Sequence, residues 1–130
     1  MKSRSDLVKG LLRKAQSDLD AAESCLKSKT ALDSVCFHAQ QAAEKAVKAF
    51  LVFSDQDPPR IHNIEKLIDL CGRIDSGFSE LRDLAAGLTP YAVELRYDDE
   101  FWPSTDTAEE AHTTAVKIVG FVRTRLSGID

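Results

Sequence analysis

Phe37-His38-Ala39-Gln40-Gln41-Ala42-Ala43-Glu44-Lys45-Ala46-Val47-Lys48-Ala49-Phe50-Leu51 reads as a helix whose polar residues are not scattered. At about 100° per residue, Val35, Ala39, Ala42, Ala43, Ala46 and Phe50 fall in one arc, which must face a core. His38, Gln41, Lys45 and Lys48 fall in a second arc beside it. His38 and Lys45 are two turns apart and line up along the helix border. So many alanines let the helix pack closely on its neighbours. A row of donors at the edge of such a face suits a small anionic ligand.

The flanking sequence predicts more helix. Over Ser5 to Lys27, the residues Val8, Leu12, Ala15, Leu19, Ala22 and Leu26 step by four and three, a bundle seam. A turn follows at Ser28-Lys29-Thr30. Thr30 with Asp33 predicts a capping-box-like start for the second helix, Ala31 to Phe53. Pro58 and Pro59 forbid helix in the next loop. A short helix is expected from Asn63 to Cys71, ended by Gly72. Another is expected from Ser76 to Gly87, with Phe78, Leu81, Ala85 and Leu88 on one face and Thr89-Pro90 as its break. Residues 91–103 read as irregular and rich in aromatics. Ser104 to Thr107 supply caps for a last helix reaching Leu126, with Ala108, Ala111, Ala115, Ile118, Val119, Val122 and Leu126 as its seam. No persistent strand alternation occurs. The expected fold is all-α: an antiparallel up-and-down bundle of about five helices, three long and two short, in one domain over residues 1–130. The first, second and last helices should make the main core.

The chain carries 17 basic and 21 acidic residues, a net charge of −4. That argues against broad binding to duplex DNA, yet leaves room for a local basic pocket. No run of about eighteen apolar residues predicts a membrane span. The basic start Met1-Lys2-Ser3-Arg4 lacks the apolar run of a signal peptide. Cys25, Cys36 and Cys71 are odd in number and widely spaced, so reduced thiols and a cytoplasmic location are expected.

Each candidate site residue has a functional and a structural reading. His38 suits a phosphate, a base edge or proton transfer, or else caps a neighbouring element. Lys45 and Lys48 are ligand donors or solvated surface lysines, and Glu44 with Lys48 is an ordinary pair one turn apart. His62 caps the third helix with Asn63 or binds an anion near that helix start. Arg96 clamps a phosphate or is tied to Glu94 or to a carboxylate on the second helix. Tyr97, Phe101 and Trp102 stack on a base or anchor an interface. His38, His62 and His112 lie on separate elements without metal-ligand spacing, so neither a metal nor another cofactor is expected. Cys36 and His38, two apart on a helix, point in different directions and make no nucleophilic pair.

Phe37-His38-Ala39-Gln40-Gln41-Ala42-Ala43-Glu44-Lys45-Ala46 resembles the signature helix of the HEPN family (higher eukaryote and prokaryote nucleotide-binding domain). His62-Asn63-Ile64 and Tyr91-Ala92-Val93-Glu94-Leu95-Arg96-Tyr97 fit the same pattern, in the family's order and spacing. Many members cleave RNA with an Arg, four to six intervening residues, then a His. Here Arg60 and His62 have one residue between them, and Arg96 and His112 have fifteen. The motif is absent, so the resemblance implies no catalytic residues. The family's Arg-Tyr-Pro before the last helix is Arg96-Tyr97-Asp98 here, which frees the backbone at that point.

The chain looks like the members without the motif. That resemblance implies a non-catalytic module for a nucleotide or nucleic-acid end, paired with a minimal nucleotidyltransferase in a toxin–antitoxin-like couple. The alternatives are a degenerate ribonuclease or toxin and a ligand-free dimerisation module. The ligand set expected is His38, Gln41, Lys45, Arg96 and Tyr97, with His62 as an outer member. A homodimer, or a heteromer with the partner, is expected through Tyr97, Phe101 and Trp102.

Overall fold

The computed structural model describes residues 2–126; the outermost ends of the expected domain, residues 1 and 127–130, lie outside the described residues. Five α-helices follow in order: α1 Arg4–Ser28, α2 Leu32–Phe53, α3 Ile64–Gly72, α4 Arg82–Ala86 and α5 Thr105–Arg125. Three are long and two short, and no strand occurs among the described residues. The segment expected as one helix from Ser76 is split. A 3-10 turn, Ser76–Leu81, precedes α4. Asp75 caps that turn by accepting from the Gly77 N–H.

α2 is the central element and packs most extensively on α1 and α5. Its alanines explain why. Ala39, Ala42, Ala43, Ala46 and Ala49 are all fully buried, and small side chains let the helix axes approach closely. α1 answers with Ala15 and Ala22, and α5 with Ala108 and Ala115, all at zero exposure. Larger side chains fill the end of the bundle near Phe53. There Phe78 is fully buried, 4.4 Å from Phe50 and 5.0 Å from Phe121 between ring centroids.

The caps are mixed. Ser3 and Asp6 form a complete capping box on α1, Asn63 caps α3 and Ser104 caps α5. The expected Thr30–Asp33 box is not formed. α2 begins after Ala31, which is left-handed at φ 51° and makes no side-chain cap bond. The turn is too tight for the box: Lys29 is also left-handed, and the Thr30 hydroxyl pairs with Ser28 at 2.9 Å instead. Three residues thus join α1 to α2, which makes the two helices antiparallel neighbours. No helix among the described residues is long and apolar enough to cross a membrane.

Candidate functional site

The polar border of α2 is held by two buried carboxylates. The first is Asp18 on α1, only 8% exposed. Its Oδ1 lies 2.8 Å from His38 Nδ1, and its Oδ2 accepts from Lys45 Nζ at 2.6 Å. One carboxylate therefore holds both of the aligned donors, two turns apart on α2. With Nδ1–H donating to Asp18, the other ring nitrogen of His38 is left for a ligand.

The second carboxylate is Glu44, on α2 itself. Its Oε1 accepts from Gln40 Nε2 at 3.0 Å and from His62 Nδ1 at 2.9 Å, and its Oε2 accepts from Lys48 at 3.1 Å. Gln40 also donates to the His62 carbonyl at 3.2 Å, and Gln41 donates to Gln40 at 2.7 Å. Burial would raise the Glu44 pKa, but the bonds from Gln40, His62 and Lys48 outweigh it and hold it below the ordinary 4.5. The Glu44–Lys48 pair is not an ordinary surface pair: Glu44 is 5% exposed and belongs to a network tying α2 to the loop before α3. His62 joins this network and leaves the capping of α3 to Asn63.

Beside the His38 end of α2 lies a cavity of about 660 Å³. Ligand clefts run from roughly 300 to 1,000 Å³. One wall is the first turns of α2, with Asp33, Phe37 and His38; the other is the segment from Tyr91 to Trp102. Arg96 is the strongest donor in it. The guanidinium carbon sits 4.1 Å from the centre of the Phe37 ring and 5.4 Å from that of Tyr97. Neither expected carboxylate holds Arg96: it makes no ion pair among the described residues, so its N–H groups stay open while the rings fix its plane. Tyr97 and Trp102 are 75% and 74% exposed and offer stacking faces. Phe101 is half-buried, 5.6 Å from Tyr91, and packs against the core.

The expected ligand set is therefore divided. His38, Arg96 and Tyr97 line one cavity. Lys45, Gln41 and His62 do not line it: Lys45 is bonded to Asp18, and Gln41 and His62 belong to the Glu44 network. Asp18 was missed although a signal existed: position 18 falls three after Ala15 and four before Ala22, on the buried seam of α1. Phe37 as a platform, and Asp33, Asp98 and Asp99 as lining, carried no such signal. Cys36 and Cys71 are fully buried. Burial pushes Cys36 up to about 11 and Cys71 up to about 12, and Tyr91, which engages Cys36, is raised to about 12 by burial. Among the described residues no group of three or more His, Cys, Asp or Glu is placed to hold a metal ion.

Comparison with known proteins fits this architecture. The chain is similar over its length to the solved structure of TT1696 from Thermus thermophilus, with 31% identity, a TM-score of 0.78, and 92% of this chain and 98% of that one covered. It is also similar to ST0689, an archaeal HEPN homologue, with 25% identity, a TM-score of 0.73, and 96% and 98% covered. No curated protein matches it. The HEPN domain model matches residues 8–125, from the start of the α1 seam to the end of α5. That family holds both RNA-cleaving and non-catalytic members, and its domains often form dimers. With the signature helix at the centre of the bundle and the match running nearly end to end, the chain belongs to the HEPN domain family.

Proposed function

We propose that the chain is a non-catalytic module that binds a nucleotide or a nucleic-acid end and works beside a minimal nucleotidyltransferase. One observation carries the ligand: a single cavity holds a guanidinium unpaired among the described residues, an imidazole fixed through Nδ1, and two exposed aromatic faces. Arg96 is a planar clamp for a phosphate and His38 a second donor, while Tyr97 and Trp102 stack on the base. The partner rests on the likeness to family members that lack the Arg–His ribonuclease spacing. Titration calorimetry with AMP at low salt tests the ligand, and Arg96→Ala should weaken binding about thirtyfold. Equal binding by wild type and variant, or none by wild type, removes the site. Absence of a minimal nucleotidyltransferase gene beside this one, or failure of its product to co-elute, removes the partner.

A degenerate ribonuclease is the second reading, favoured by the Asp18–His38 pair. A carboxylate on Nδ1 is how a general base is oriented. RNA turnover by the purified chain that is lost in His38→Ala selects this reading over the first.

A further inference from the structure

Resting on the nucleotide reading, we infer that the cavity selects a ligand with one phosphate: a nucleoside monophosphate, in preference to a triphosphate or an RNA strand. The chemistry of its walls carries this. Asp33, Asp98 and Asp99 share the cavity with Arg96, so its lining holds three carboxylates and one guanidinium. His38 adds a positive charge only when protonated. None of the three carboxylates is neutralised by an ion pair among the described residues. Lys45, the nearest further cation on α2, is already taken by Asp18.

The layout gives each group one task. Asp98 and Asp99 directly follow Tyr97, so a ligand that stacks on Tyr97 and bonds Arg96 lies beside them. Asp98 Oδ1 accepts from the Glu100 N–H at 2.9 Å, which leaves its other oxygen open. A carboxylate accepts hydrogen bonds from sugar hydroxyls and repels phosphate oxygens. One phosphoryl group is matched by Arg96, with His38 as the second donor. A second or third meets carboxylates with no cation left to answer it. A polyanionic strand is disfavoured for the same reason.

Titration with adenosine, AMP, ADP and ATP, in EDTA at low salt so that no metal masks the phosphates, reads the selection directly. AMP should bind tightest. Each further phosphate should weaken binding by about threefold or more, the effect of one added unit charge near an unpaired carboxylate in water. Added salt should narrow the series. The double variant Asp98→Asn, Asp99→Asn keeps an Oδ1 acceptor for Glu100 and removes two charges, so it should close most of the AMP–ATP gap. ATP binding as tightly as AMP, or a short single-stranded RNA binding tighter than AMP, overturns the selection and leaves the nucleotide reading standing. An unchanged gap in the double variant overturns the assignment to these aspartates. A wild type that binds neither adenosine nor any of the three nucleotides overturns the nucleotide reading itself.

Discussion

The two polar regions along α2 hold their basic groups by opposite means. Around Asp18 and Glu44, each base faces a buried carboxylate: His38 and Lys45 on one, His62 and Lys48 on the other. In the cavity, Arg96 lies against the faces of Phe37 and Tyr97 with no carboxylate partner among the described residues. A cation paired to a buried acid is committed to the fold, because parting the two leaves a charge unanswered. A guanidinium held by ring faces is fixed in place but keeps its donors. The difference separates residues that build the bundle from residues left over for a ligand. His38 has a foot in each region.

The largest expected effect lies on the structural side. Glu44→Ala strips the acceptor from Gln40, His62 and Lys48 together and should cost about 3 kcal/mol in thermal or urea unfolding. A loss below about 1 kcal/mol would mean the network behaves like an exposed one. Asp18→Ala should cost less, about 2 kcal/mol, because Lys45 and His38 are a quarter to a third exposed and turn partly to water. It should also weaken AMP, since the His38 ring loses its anchor. Stability lost with AMP affinity unchanged would detach His38 from the site.

The helical fold was legible because helix packing writes a period into the sequence. The seams of α1, α2 and α5 are buried almost position for position, Leu26 alone being half-buried. The site was half legible. His38 and Lys45 were visible as aligned donors, but periodicity shows that two residues share a face and says nothing about what the next helix sets opposite them. Asp18 stands opposite them, 27 residues before Lys45 in sequence. Arg96 was visible as a charge in an irregular segment. Its partner, an aromatic ring 59 positions earlier, depends on where that segment folds back, and no local pattern encodes that.

On the ligand side, Arg96→Ala should reverse the pattern of Glu44→Ala. Only an exposed cation–π contact is lost, so stability should fall by about 0.5–1 kcal/mol. AMP affinity should fall about thirtyfold, the loss of a charged hydrogen bond worth about 2 kcal/mol. Lys45→Ala is the crossed control, with stability reduced and AMP binding nearly kept. If Lys45→Ala weakens AMP as much as Arg96→Ala does, the separation of the two regions fails.

Acid should weaken the Glu44 network. The folded Glu44 pKa is depressed, so its contribution to stability is fully present above about 4.5 and is lost as pH falls through the folded value. Unfolding curves from pH 6 downward should show this slope in wild type and a shallower one in Glu44→Gln. Parallel curves would place the acid sensitivity elsewhere.

The smallest expected effect concerns Trp102. It is 74% exposed on the rim of the cavity, and a large ring left in water is a common anchor for a second subunit. If copies of the chain pair through this rim, Trp102→Ala should raise the dimer dissociation constant about tenfold in sedimentation equilibrium, a cost near 1.4 kcal/mol. A wild type that stays monomeric at high concentration would break this reading. The rim also forces a coupling, because a ring face stacked on a base is not free to stack on a partner. Whichever sign it takes, saturating AMP should then move the wild-type dimer constant, and the dimer should move AMP affinity by the same factor. In Trp102→Ala that coupling should shrink toward none. A dimer constant indifferent to AMP in the wild type would show that the pairing surface and the cavity are separate, and would leave Trp102 to the ligand.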